Sequence, residues 1–151
     1  MDIKKAFAEM QLKGCFIEKI QISNDFYNIS NENLNISMDL KNGISDIICN
    51  EKSNHLEANL ALDLTIFAES NNDNTRKYTL NIVINGLFDY GGSEEKEFYN
   101  MLLLNGNSTL YSIARSHIIT LTSMSSQSGQ IIIPMINFAK LLEETEKENP
   151  H

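Results

Sequence analysis

Chemistry near neutral pH would have to start from three histidines and two cysteines. His55 stands two residues before Glu57, a spacing that puts both side chains on one face of a strand. Two ligands fall short of a metal site, so the pair reads as part of a solvated polar face. His117 lies among apolar residues, where a hydrogen-bonded buried or interface histidine is expected, and His151 is the last residue. Cys15 and Cys49 are isolated and have no CxxC neighbour. The opening MDIKKAFAEMQLK lacks the apolar run of a signal peptide, so both are expected as reduced, buried thiols of a cytoplasmic protein. No GxSxG is present. Gly91-Gly92 has neither the Lys-Ser/Thr of a phosphate loop nor dinucleotide spacing, and reads as a strand-to-helix turn. Arg115 would pair with a carboxylate or carbonyls at an interface, or hold an anion. These residues predict no metal, no cofactor and no enzymatic activity.

The elements that must position these side chains belong to one soluble domain. The chain has 151 residues, 42% hydrophobic and 21% charged, with a net charge of −8. That charge argues against a nucleic-acid partner, which needs a basic patch. The longest apolar run, Ile131 to Ile136, is too short for membrane insertion. Ile3, Phe7 and Met10 share one helical face, predicting a short amphipathic N-terminal helix over 1–13 that Gly14 ends. A strand is expected over Cys15 to Ile22. The alternation of Leu34, Ile36, Met38 and Leu40 with polar residues predicts a second, followed by an Asn42-Gly43 turn and an irregular connection from Ile44 to Ser53. Leu56 to Ala68 and Tyr78 to Ile84 alternate in the same way, which points to an antiparallel meander.

After Gly86 the pattern becomes helical. Ser93 is placed to cap a helix with Glu94, Glu95 and Glu97 in its first turn and Phe98, Met101 and Leu102 on its buried face. Asn105-Gly106 would stop or kink it, and Ser108 would cap the next. Between Ser108 and Gly129 there is no Asp or Glu, and Arg115 is the one basic side chain. A helix with a wet face normally carries both signs of charge. Leu110, Ile113, Ala114, His117 and Leu121 form one stripe, and Tyr111, Ile118 and Thr122 a second. This helix is therefore expected to be covered by its own domain on one side and by another copy on the other. Asn137 caps a last helix bearing Phe138, Leu141 and Leu142, and 145–151 is expected as a disordered acidic tail.

Three pieces, in this order and spacing, resemble the SecB family of protein-export chaperones, including the SecB-like chaperones found beside toxin–antitoxin pairs. They are GLFDY at Gly86 to Tyr90, LYSIAR at Leu110 to Arg115 followed by ITLTS, and IIIPMINFAKLL at Ile131 to Leu142. The resemblance spans about Cys15 to Glu144, and the chaperone domain is drawn at 14–144. It implies an α+β fold, a four-stranded antiparallel sheet packed on a long and a short helix, here with the extra N-terminal helix. It implies a dimer of dimers, with Leu110, Tyr111, Ile113, Ala114, Arg115, His117, Ile118 and Leu121 at the interface between copies. It implies a nucleotide-independent holdase for unfolded or precursor polypeptides, or a chaperone dedicated to an antitoxin. Clients would lie on Leu34, Ile36, Met38, Leu40, Ile44, Ile47, Phe138, Leu141 and Leu142. The family docks to the SecA motor through acidic residues on the wet sheet face, where this chain has Asn24, Asn28 and Asn81, so SecA is an open partner. A small-molecule binder or enzyme on the same scaffold is the alternative from another class.

Overall fold

A computed structural model describes residues 8–25, 34–71, 77–125 and 130–148. Four long antiparallel strands form the sheet: β1 (Met10–Asn24), β2 (Leu34–Ile44), β4 (His55–Ser70) and β5 (Lys77–Tyr90), in the order β1-β5-β4-β2. A fifth, β3 (Ile48–Asn50), pairs with the start of β4, so β2 and β3 lie end to end along one edge of β4. The helical half follows as α1 (Glu95–Met101), a π-turn (Leu102–Gly106), α2 (Asn107–Ser125) and α3 (Phe138–Glu148).

Alternation makes the core. Leu60, Leu62, Leu64 and Ile66 of β4 and Leu80, Ile82 and Ile84 of β5 have no exposed surface, and Phe98, Leu102, Leu110, Ala114 and Ile118 close over them. Gly86 and Leu60 face each other across β5 and β4. A Cβ on Gly86 would lie 2.9 Å from Leu110, and one on Gly106 2.9 Å from Leu60. Helix and sheet interlock there: each glycine receives the leucine of the other layer.

Several expectations are corrected. Met10–Lys13, predicted as the end of the N-terminal helix, is strand, because Gly14 sits inside β1 and does not terminate a helix; residues 1–7 lie outside the described residues. Asn42-Gly43 is paired within β2 and makes no turn. β5 does not end at Gly86 but runs on to Tyr90. Glu94, not Ser93, occupies the cap of α1, where its carbonyl accepts the Phe98 amide. Residues 145–148, assigned to a tail, belong to α3. Both cysteines are free and exposed instead of buried.

Tyr90 ties the end of β5 to α1. Its ring stacks on Phe98 at 5.3 Å and its hydroxyl donates to Glu97 at 2.7 Å. That hydrogen bond, reinforced by burial, pushes its pKa from 10.0 up to about 12. The fold prefers the neutral phenol. The stabilisation is therefore complete below pH 10 and lost as pH climbs through about 12. Stability measured by denaturant titration is expected to fall across that window, and Tyr90→Phe should flatten part of the fall. An identical decline in Tyr90→Phe would show that the phenol contributes nothing.

Candidate functional site

The π-turn sets the phase of everything after it. Phe98 and Leu102, four residues apart, face the sheet from α1 and its continuation. In an unbroken α-helix the same face would go on through Asn105, Thr109, Ile113, Ser116 and Thr120. One extra residue in Leu102–Gly106 rotates the rest of the helix by roughly 100°. The buried set of α2 is instead Asn107, Leu110, Tyr111, Ala114, Ile118 and Thr122. Asn105-Gly106 thus bends the helical path without stopping it, and Ser108 lies inside a helix and caps nothing. Of the expected interface residues, Leu110, Tyr111, Ala114 and Ile118 are fully covered by their own chain, which leaves them no surface for another copy. Ile113, Arg115, His117 and Leu121 remain half-buried on the flanks.

The chain after α2 is fastened back onto its side chain by chain. Thr122 accepts the Ile131 amide at 2.8 Å, Arg115 Nε donates to the Ile133 carbonyl at 2.8 Å, and the Tyr111 hydroxyl donates to the Pro134 carbonyl at 2.5 Å. Arg115 therefore holds a carbonyl of its own chain. Phe138 meets Tyr111 edge to face at 5.8 Å, and Asn137 caps α3 through its side chain to the Lys140 amide. These contacts seat the start of α3 and leave the rest of its underside open.

Three hollows of about 540, 380 and 360 Å³ lie along the α1–π-turn segment, the first and third of them facing α3, and Leu104 borders all of them. Met135, Ile136, Phe138 and Ala139 line the largest. Leu103, Ala139 and Leu142 meet across another. Met101 adds to the third, whose rim carries Glu94, Lys96 and Glu97. The result is an open apolar groove with a polar rim, without converging catalytic groups. Phe138 and Leu142 of the expected client residues line it. Phe138 does so mainly as the buried anchor of α3, at 6% exposure. Leu34, Met38, Leu40 and Ile44 are half-buried on the helix side of β2, Ile47 is half-buried in the connection, and Ile36 and Leu141 are exposed. None of them borders the three hollows; Met38 reaches the site only through the Tyr111 hydroxyl, 3.7 Å from its sulfur.

A second apolar surface lies on β1. Cys15, Ile17, Ile20 and Ile22 share the helix side of the sheet with Ile84, Ile82 and Leu80 of β5, yet all four are exposed. The end of β1 is tied to the end of α2 through Asn24 to the Ser125 carbonyl, and α2 carries the half-buried Ile113, His117 and Leu121 and the 78%-exposed Met124. Sequence reading missed β1 as a surface and also missed Leu103 and Leu104. The second omission had a visible signal: three consecutive leucines at 102–104 cannot share one helical face.

On the far face of the sheet, where His55 and Glu57 were expected together, His55 Nδ1 lies 3.0 Å from both oxygens of Asp89, the cross-strand neighbour of Glu57, and Glu57 accepts from Asn50. Among the described residues no three potential ligands gather as a metal site, and no helix is long and apolar enough to cross a membrane.

The sheet order, the long helix and the short capped helix define a SecB-like α+β fold. The chain is similar to the SecB-like chaperone of Mycobacterium tuberculosis, whose structure was solved in complex with a ChAD peptide from the HigA1 antitoxin. The TM-score is 0.67 and the identity 12%, over 85% of this chain and 91% of that one. No protein-family model and no curated protein matches the sequence.

Proposed function

We propose that this protein is a cytoplasmic, nucleotide-independent holdase, not an enzyme, that binds unfolded polypeptides and delays their aggregation. The observation that carries the reading is the groove around Leu104: largely apolar, open, and framed by α1, the π-turn and α3. Such a surface suits chains without a fixed shape better than a small ligand, which needs enclosure. The similar mycobacterial chaperone holds a peptide, which supports a polypeptide client here.

A chaperone dedicated to one antitoxin is favoured over a general export factor by the outer face of the sheet. Its carboxylates are already engaged within the chain. Asp63 accepts from Asn81 and Glu18 from Asn85, while Glu69 pairs with Lys77 and Asp39 with Lys41. Two of these four carboxylates are thus matched by a lysine of the same face, which lowers the net attraction of that face for a basic partner such as the SecA motor.

The protein is further proposed to act as a homo-oligomer, with the β1 strip and the α2 flank covered by a second copy. The exposed outer side of α2 fits a close helix neighbour: Ser112, Thr120 and Ser123 turn their hydroxyls to carbonyls of their own helix.

Aggregation of a chemically unfolded polypeptide, followed by light scattering without nucleotide, tests the groove. Leu104→Asp with Leu142→Asp is expected to weaken protection roughly tenfold, since losing half-exposed leucine contacts costs about 1–2 kcal/mol. Asn59→Asp on the outer sheet face should protect like the parent. Equal protection by both variants would refute the groove assignment.

A further inference from the structure

Asn107 sits at the junction of the π-turn and α2 with 1% of its surface exposed, in the row of residues that packs on the sheet. Its backbone amide goes to the carbonyls of Leu102 and Leu104, skipping Leu103, its partner in a regular α-helix. The side chain makes good the loss: Nδ2 donates to the Leu103 carbonyl at 2.9 Å. Its Oδ1 is the buried side-chain polar atom that finds no hydrogen-bond partner among the described residues. A buried acceptor without a donor is costly, so an apolar residue would suit stability better at this place. The amide donor is what an apolar residue could not supply.

The groove depends on that donor. An uninterrupted α-helix run backwards from Asn107 would put Leu103, four residues earlier, on the sheet side. The wide turn instead sends Leu102 into the core and leaves Leu103 and Leu104 half-buried at the hollows. We infer that Asn107 is the positioning residue of the groove: its carboxamide holds the π-turn open and thereby presents Leu103 and Leu104 to a bound chain. The inference rests on the client-holding reading above.

The full-length protein is compared as wild type, Asn107→Leu and Asn107→Ser. A serine hydroxyl can reach the carbonyl four residues back, as Ser112 does to Ser108 and Thr109 to Asn105 in this helix. Binding of reduced, carboxymethylated α-lactalbumin is read by fluorescence anisotropy, together with Tm and amide hydrogen exchange over 102–108. Asn107→Leu is expected to keep or raise Tm yet bind at least tenfold more weakly, with altered exchange at the turn. Asn107→Ser should restore both binding and exchange. Asn107→Ala takes the place of the leucine variant if that one does not fold. Wild-type affinity and exchange in the leucine or alanine variant would overturn the inference. A wild type that does not bind the probe would overturn the client-holding reading instead, and the exchange pattern still decides whether Asn107 holds the turn.

Discussion

Ile17→Asp with Ile20→Asp is expected to convert the protein to a monomer at micromolar concentration, seen as a fall in mass by light scattering or sedimentation. Ile17, Ile20 and Ile22 are 37–43% exposed although they point to the helix side of the sheet. Covering what remains of them on two copies contributes on the order of 5 kcal/mol. Two aspartates per copy remove most of that and add the cost of burying charge, so self-association should weaken at least about a hundredfold. Because the side chains are already partly wet, the fold itself should suffer much less than the assembly. The strand also carries a self-complementary centre. Glu18 is the extra residue of a bulge between Ile17 and Lys19. In the proposed assembly, antiparallel pairing of two β1 strands about that bulge would bring Glu18 of each copy opposite Lys19 of the other, and Ile17 opposite Ile20. Glu18→Lys alone should then weaken association, and adding Lys19→Glu should restore it. A parent that is monomeric, or a double-aspartate variant with undiminished mass, would remove β1 from the assembly.

Gly86→Val is expected to destabilise the fold by about 2–3 kcal/mol, the cost of overpacking a filled core. A Cβ there meets Leu110, Phe88 and Leu12 at 2.9, 3.0 and 3.1 Å, and a valine adds two further carbons among the same three side chains. The β-propensity gained by replacing glycine in a strand, under about 1 kcal/mol, does not offset this. Tm should drop by roughly 5–10 °C for a chain of this size. Gly43→Ala is the matched control, since nothing lies within 4 Å of a Cβ at that position in β2. Equal Tm values for the two variants would mean that α2 does not need the close approach.

These expectations draw on features with different visibility in the sequence. β2, β4 and most of β5 were plain from alternation, because β4 and β5 bury their helix side throughout and β2 carries Leu34, Ile36, Met38 and Leu40 on that side. The end of β5 was obscured by Gly86, which keeps the alternation but has no side chain to show it, since Leu110 occupies the space. β1 was expected over Cys15 to Ile22, and only its start, Met10 to Lys13, was misread, for a related reason. Its helix-side residues are Met10, Leu12, Cys15, Ile17, Ile20 and Ile22, with Lys13 and Glu18 inserted as bulges. Bulges turn a spacing of two into twos and threes, which imitates a helix at its start. The α2 stripe failed through phase. Of the two stripes read on α2, the sheet takes Tyr111, Ile118 and Thr122 whole but only Leu110 and Ala114 of the other, because periodicity within α2 does not show which face the π-turn aims at the sheet. The groove inherits that error: Phe138 and Leu142 were legible on α3, whereas Leu103 and Leu104 depend on the π-turn that no local propensity announces.

The strand order also governs how the chain comes together in time. β1 is the first strand to leave the ribosome, but it pairs with β5, the last of the five. Its isoleucines must therefore wait, unpaired, until the rest of the sheet has been synthesised. Closing so long a loop before the pairing can return any energy is slow compared with forming α2 or the neighbouring β4–β5 pair. Refolding is accordingly expected to be slowed by the arrival of β1 at β5, with the time that strand spends without a neighbour as the interval most open to aggregation.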